Sequence, residues 1–470
     1  MLSRLRDHLP LGVGRLASLL VDLVANLLLT RALGPGPFGL VAMAATVMTI
    51  LQTLGDAGVG QSLLTDRAGG ARRTGAALLL SGALGLAVTL ASLALTPLVL
   101  RLYPDHPEVL GPWLVACGLA VPSILLNVPL SLAQRAERFE LLAGSRLAAT
   151  LVASLVALAL ARTHHDAWPL LARQVLAIAL QLAICWLVLR PAVARPTRAD
   201  VEEVRAFASG FVGFQVLNAL QRNAHGPLLG RWLGDAALGQ YGLASRVLML
   251  PIEQVGGLLS TVAYPRIARL APDGPAVAAA ISTLMREVAT LTTPVCLGVA
   301  VAAPELVSVL FGPAWAPAVL PCRILSLLCA WQAPARYTGL AFTVSRDTAA
   351  MARWEVISAP LGVLGLSLGL LADRSATGAA TGYALASLLL AVPQVEAAAR
   401  ILGVPASLLA RGAISGIARG AAATAPLLVA CALCRELGAQ PALTLGAVIG
   451  VGALSELALL RAWLRPPASR

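Results

Sequence analysis

RALGPGPFG, residues 31–39, is the stretch from which the fold can be read. It closes one long apolar segment and opens another. Pro35 and Pro37 lack the amides a continuing helix needs, and Gly34 and Gly36 permit a sharp reversal, so the stretch predicts a tight turn between two helices. A second version, RWLGDAALG, occupies residues 231–239. Arg31, Leu33, Gly34 and Gly39 recur without a gap as Arg231, Leu233, Gly234 and Gly239. Apolar runs long enough to cross a bilayer flank both copies. The repeat predicts two similar halves joined near residue 200.

Composition places both halves in a membrane. Hydrophobic residues make up 58% of the 470 and charged residues only 12%, with a mean hydropathy of +0.81. A soluble globular chain is about half apolar and about a quarter charged. This chain has too little polar surface to coat itself in water. Apolar segments recur near residues 9–33, 38–64, 74–100, 112–133, 141–161 and 167–189, and then near 204–233, 238–267, 277–310, 316–344, 352–371 and 376–399. Two more follow near 409–433 and 442–464. The expected fold is an all-α polytopic membrane protein of about 14 transmembrane helices. Residues 1–190 form an N-terminal lobe, 191–203 a polar linker, 204–400 a C-terminal lobe, and 401–470 two additional spans. A β-barrel would show alternating strands of about ten residues, and none is visible.

The net charge of +12 comes with 35 basic residues, all Arg. They sit in short loops rather than in one patch, so the positive-inside rule accounts for them and nucleic acid is not implied. Arg4, Arg6, Arg67, Arg72, Arg73, Arg135 and Arg138 fall on one side, and Arg31, Arg101, Arg162 and Arg231 on the other. The asymmetry places both termini in the cytoplasm. The first segment lacks a small-residue cleavage site and reads as a retained span. No loop is long enough to fold alone, and no Walker A motif is present. Cys431 and Cys434 form a CxxC inside an apolar segment with no His nearby, and His164, His165 and Asp166 share a short loop without a further ligand, so neither reads as a metal centre.

Polar side chains inside spans are costly and point to a site. The richest set is Gln215, Asn218, Arg222 and His225, whose spacings of three, four and three share one helical face. That face lines a water-filled passage or holds the bundle together by hydrogen bonds. Arg15, Asp22 and Asn26 share another face; Arg15 lies nearer a span end and could equally snorkel. Arg246 and Glu253 return to one face of the next segment, and Arg323 lies in the tenth. Asp56, in LGDAGVG, reads as a packing carboxylate or a coupling group. Arg15, Arg222, Arg246, Arg286, Arg323 and Arg336 outnumber Asp22, Asp56, Glu253 and Glu287. A cationic passage suits an anionic substrate such as a phosphate or diphosphate, which guanidinium groups bind in pairs.

RALGPGPFGLVAMAATVMTILQTLGDAGVGQSLL closely resembles the opening of the bacterial polysaccharide transporters, the Wzx-type flippases. LGDAALGQYGLASRVLMLPIEQVGGLLSTVAYPRIARL, residues 233–270, resembles their second-half motif, and FGPAWAPAVLPCRILSL, residues 311–327, a third segment. The resemblance implies the multidrug/oligosaccharidyl-lipid/polysaccharide exporter (MOP) fold, related to the MATE transporters: two pseudo-symmetric six-helix lobes around a central cavity. It further implies a flippase of the bacterial inner membrane that moves an undecaprenyl-diphosphate-linked oligosaccharide by alternating access. Membrane lipid, a polysaccharide polymerase and export machinery are the implied partners. No cofactor is implied beyond a proton or sodium gradient. Arg15, Asn26, Gln215, Asn218, Arg222, His225, Arg246 and Arg323 are the expected substrate contacts, with Asp22, Asp56 and Glu253 for coupling or packing. A peptidoglycan-precursor flippase, a drug antiporter and a membrane enzyme of glycan assembly are the alternatives.

Overall fold

The structure is a computed structural model describing residues 2–56, 59–65, 70–205, 225–270, 273–345 and 348–464. These residues form helices joined by short connections. The first compact unit is Met1–Gly239 and the second Gln240–Arg470. The division between these units falls inside a long helix.

In the first unit the helices are α1 (Leu2–Leu33), α2 (Pro35–Asp56), α3 (Val59–Thr65), α4 (Ala71–Ala94), α5 (Thr96–Leu102), α6 (Leu110–Arg135), α7 (Phe139–Leu160) and α8 (Trp168–Leu189). Helix α9 (His225–Arg269) crosses the unit boundary. α7 packs between α1 and α8, and α6 packs against α4, α2 and α8. In the second unit come α10 (Gly274–Leu306), α11 (Val319–Ala335), α12 (Thr348–Ala372), α13 (Ala376–Leu389), α14 (Ala391–Leu402), α15 (Ala406–Glu436) and α16 (Pro441–Leu464). There α10 is central, packing on α15, α11 and α16, while α12 pairs with α13.

Among the described residues, nine helices are long and apolar enough to cross a bilayer. The pair Leu20–Leu33 and Pro35–Ala45, bent by 116°, passes the same test together. The expected seventh span, 204–233, falls largely outside the described residues. Proline divides two of the expected segments. Residues 74–100 become α4 and α5, with Pro97 in the first turn of α5. Residues 376–399 become α13 and α14, with Pro393 in the first turn of α14. Proline suits the start of a helix, where its missing amide would have no partner anyway.

Helix α7 is inside-out relative to a helix of a soluble bundle. On α7 the buried face is Ser145, Ala149, Ala153 and Ala157, one small residue per turn. The opposite face exposes Leu151, Val152, Leu155 and Val156. Lipid is as apolar as leucine, so large aliphatics gain nothing by turning inward, and small residues let backbones approach closely.

Both copies of the repeated motif hold a left-handed glycine. Gly34 has φ +74° and makes the α1–α2 bend; Gly234 has φ +84° and kinks α9. The copies also touch. A Cβ on Gly39 would lie 1.7 Å from the Asp235 carbonyl oxygen, and one on Gly239 would lie 2.3 Å from that of Pro35. Since Pro35 corresponds to Asp235 and Gly39 to Gly239, the contact is reciprocal, as a local twofold requires. Duplication thus reaches from sequence into packing.

Candidate functional site

Arg173 organises the polar interior of the first unit. It stands near the start of α8, and its guanidinium reaches three side chains on two other helices. Nη2 donates to Asp22 Oδ1 at 2.5 Å, Nη1 to Asn26 Oδ1 at 3.0 Å, and Nε to Ser154 Oγ at 3.1 Å. Asn26 in turn donates from Nδ2 to the Asp22 carbonyl at 2.8 Å. The planar fork of arginine suits such a node, where each N–H points at a different acceptor. Asn26, expected as a substrate contact, and Asp22, expected for coupling or packing, are both held by Arg173. Their four-residue spacing puts both on the α1 face toward α7 and α8.

The next residue of α8, Gln174, points elsewhere. With Gln52 and Thr49 of α2 it lines a narrow groove whose walls include Met48, Pro112 and Leu171. Among the described residues neither glutamine amide has a hydrogen-bond partner. Among the described residues, every polar group lining this groove is uncharged.

The second unit carries three further polar sites. Arg435 on α15 grips Glu305 on α10 in a forked pair, Nε at 2.7 Å and Nη2 at 2.8 Å from its two oxygens. Arg323 stands close enough to add its charge to this pair. Arg286 pairs with Glu287 at 3.1 Å. Gln332 on α11 donates to Tyr383 Oη at 3.2 Å, joining α11 to α13. Arg246 is exposed on α9. Two of the acids entered in the charge count, Asp22 and Glu287, are therefore each held by an arginine of their own unit. Gln215, Asn218 and Arg222 lie outside the described residues, as do the side chains of Arg15, Asp56, His225 and Glu253.

Three side chains were not among the residues expected from sequence. Arg173 lies near a span end, where charge is ordinarily tolerated, so its inward direction carries no signal in the sequence. Gln174 is a single amide in an apolar run. Glu456 lies on α16, with one carboxyl oxygen buried and without a hydrogen-bond partner among the described residues. Its signal was legible: a lone carboxylate within an apolar segment is costly and marks a place worth testing.

With this geometry in hand, the family defined as "polysaccharide biosynthesis protein" matches residues 28–320. That stretch includes both copies of the repeated motif, Arg173 and the groove. The chain belongs to this family. The resemblance to bacterial polysaccharide transporters read from the motifs therefore holds. The chain is similar to the lipopolysaccharide biosynthesis protein WzxC of Escherichia coli K12, 24% identical over 66% of this chain and 63% of that protein. It is also similar to the succinoglycan biosynthesis transport protein ExoT of Rhizobium meliloti 1021, 25% identical over 64% of this chain and 61% of that one. These alignments thus span about three-fifths of both relatives. Among solved structures, the lipid II flippase MurJ in an inward closed conformation superposes with a TM-score of 0.74. That match covers 97% of this chain and 99% of the other at 10% identity. It shows the fold: a polytopic helical membrane protein built of lobes.

Proposed function

We propose that this family member is a flippase that carries an undecaprenyl-diphosphate-linked oligosaccharide across the bacterial inner membrane, for exopolysaccharide or O-antigen export. The observation that carries the reading is the family match over residues 28–320. The fold shared with a lipid II flippase and the excess of arginine over carboxylate within the spans support it. A diphosphate is a bidentate acceptor, and guanidinium groups are its natural partners in a medium of low dielectric. In this reading the chain breaks no bond. Arg222 and Arg246 hold the diphosphate while the lobes alternate access, and the lipid tail stays in the bilayer. Both termini face the cytoplasm, and a proton or sodium gradient supplies the drive.

The test is a strain lacking the chain. Lipid-linked glycan should accumulate on the cytoplasmic leaflet and surface polymer should fall. Arg222→Ala or Arg246→Ala should lower export at least tenfold, a forked charge-assisted contact being worth about 1.5–3 kcal/mol, with membrane abundance unchanged. Normal export by both variants defeats the cationic passage. The fold likeness to MurJ favours one second reading, a peptidoglycan-precursor flippase. Loss of viability on deletion, instead of loss of surface polymer, selects that reading.

A further inference from the structure

We infer that the groove between α2, α6 and α8 is a subsite for the sugar of the transported glycolipid, recognised through the side-chain amides of Gln52 and Gln174. The inference rests on the flippase reading and adds to it the place where the neutral part of the headgroup is bound. The arginines account for a diphosphate; they do not account for a glycan.

Four observations converge on the groove. First, a glutamine amide carries two donors and a carbonyl acceptor, and in an apolar helix these groups need a partner other than lipid. Gln52 and Gln174 have none among the described residues, and both line the same space. Second, the described lining is uncharged, so it does not compete for the diphosphate. Amides donate and accept at once, as hydroxyl and N-acetyl groups do. Third, Val41, Ala45 and Ala116 give the groove a partly exposed apolar lining, with Met48, Pro112 and Leu171 buried beneath it. The enclosed space is about 30 Å³, room for one or two waters or hydroxyl groups. The ring would thus lie across the mouth and insert an edge. Fourth, the α8 wall of the groove is anchored. The residue before Gln174 is Arg173, whose contacts to Asp22, Asn26 and Ser154 fix α8 against α1 and α7. A binding group carried on a locked helix loses little entropy when it engages.

The experiment uses the full chain in lipid nanodiscs and two probes. One is undecaprenyl diphosphate without sugar; the other is undecaprenyl-diphosphate-linked oligosaccharide extracted from the producing cells. Replacing both glutamines, Gln52→Leu with Gln174→Leu, should weaken binding of the glycan-bearing probe about tenfold, the loss of two neutral hydrogen bonds. Binding of the bare diphosphate should not change. Wild-type affinity for both probes in the double variant overturns the subsite, and so does an equal loss for both. A second measurement does not depend on that variant folding. In Gln174→Cys, the glycan-bearing probe should protect the new thiol from a maleimide and the bare probe should not; equal labelling with either probe overturns the inference. Wild-type protein that binds neither probe instead removes the flippase reading, and the subsite with it.

Discussion

Arg173 shows what one side chain does in a membrane interior. Its guanidinium meets a carboxylate, an amide and a hydroxyl, and its own side chain is 17% exposed against 34% for Asp22. Removing one partner of a buried pair costs about 3–5 kcal/mol because the other charge is stranded; the partial exposure of Asp22 brings this down to roughly 1–3 kcal/mol. Arg173→Leu should therefore lower the melting temperature of the purified protein clearly. Asp22→Asn combined with Arg173→Gln should recover much of the loss, since no charge is left unpaired. A double variant as unstable as Arg173→Leu would show that the hydrogen-bond geometry, not the charge, is decisive. Asp22 and Asn26 were readable as one polar face of a helix. Their partner was not, because nothing in a sequence tells which way an arginine near a span end points.

At the scale of elements, two joints invite measurement. Gly39 and Gly239 are places where the repeated motifs meet backbone to backbone. A methyl group at Gly39 has no room, and the neighbour is a carbonyl that cannot rotate away. Gly39→Ala should cost about 1–3 kcal/mol, the range for overpacking, and reduce folded yield, whereas Gly82→Ala, with open space around it, should be neutral. The second joint is the linker. Residues 198–205 are helical, with Thr197 at the cap, its hydroxyl and amide both donating to Asp200. Val204 and Val201 of this helix pack with Val59, Leu63 and Val128, Arg73 pairs with Glu203, and Ala194 N–H donates to the Ala71 carbonyl at 3.0 Å. The linker is thus fastened to the first unit. The Thr197 side-chain and backbone hydrogen bonds hold the Asp200 carboxyl below its ordinary value of 3.8. A lowered folded-state pKa means the cap stabilises fully above 3.8 and is lost as pH falls through the lower value. Protection of the 197–205 amides, relative to their intrinsic exchange at each pH, should fall in acid, and Asp200→Asn should show the same loss of protection at neutral pH. The cap was legible as Thr-x-x-Asp; that the helix lies on α3 and α4 was not, since a polar linker has no periodicity strong enough to announce a docking face.

Across the whole molecule, basic side chains exceed acidic ones by 12. An anionic headgroup should need forked donors and not only a positive point charge. Arg222→Lys and Arg246→Lys should retain part of the export that the alanine variants lose, and remain below wild type by several-fold. Full activity in both lysine variants would mean that charge alone suffices. The same scale explains the shape of the core. Small residues fill much of the core while leucines such as Leu155, Leu187 and Leu389 face outward, a pattern that lipid as solvent makes stable.

By itself the sequence determined that the chain is helical, membrane-embedded and duplicated. Those properties follow from apolar segment length, from arginine distribution and from the recurrence of RALGPGPFG as RWLGDAALG, all of which are local. Only the tertiary structure decided that Asp22 and Asn26 belong to Arg173, that Gln52 and Gln174 share one groove, and that α9 gives its first turns to the first unit. Each of these depends on which helix faces which, and that is set by close packing among residues far apart in the chain.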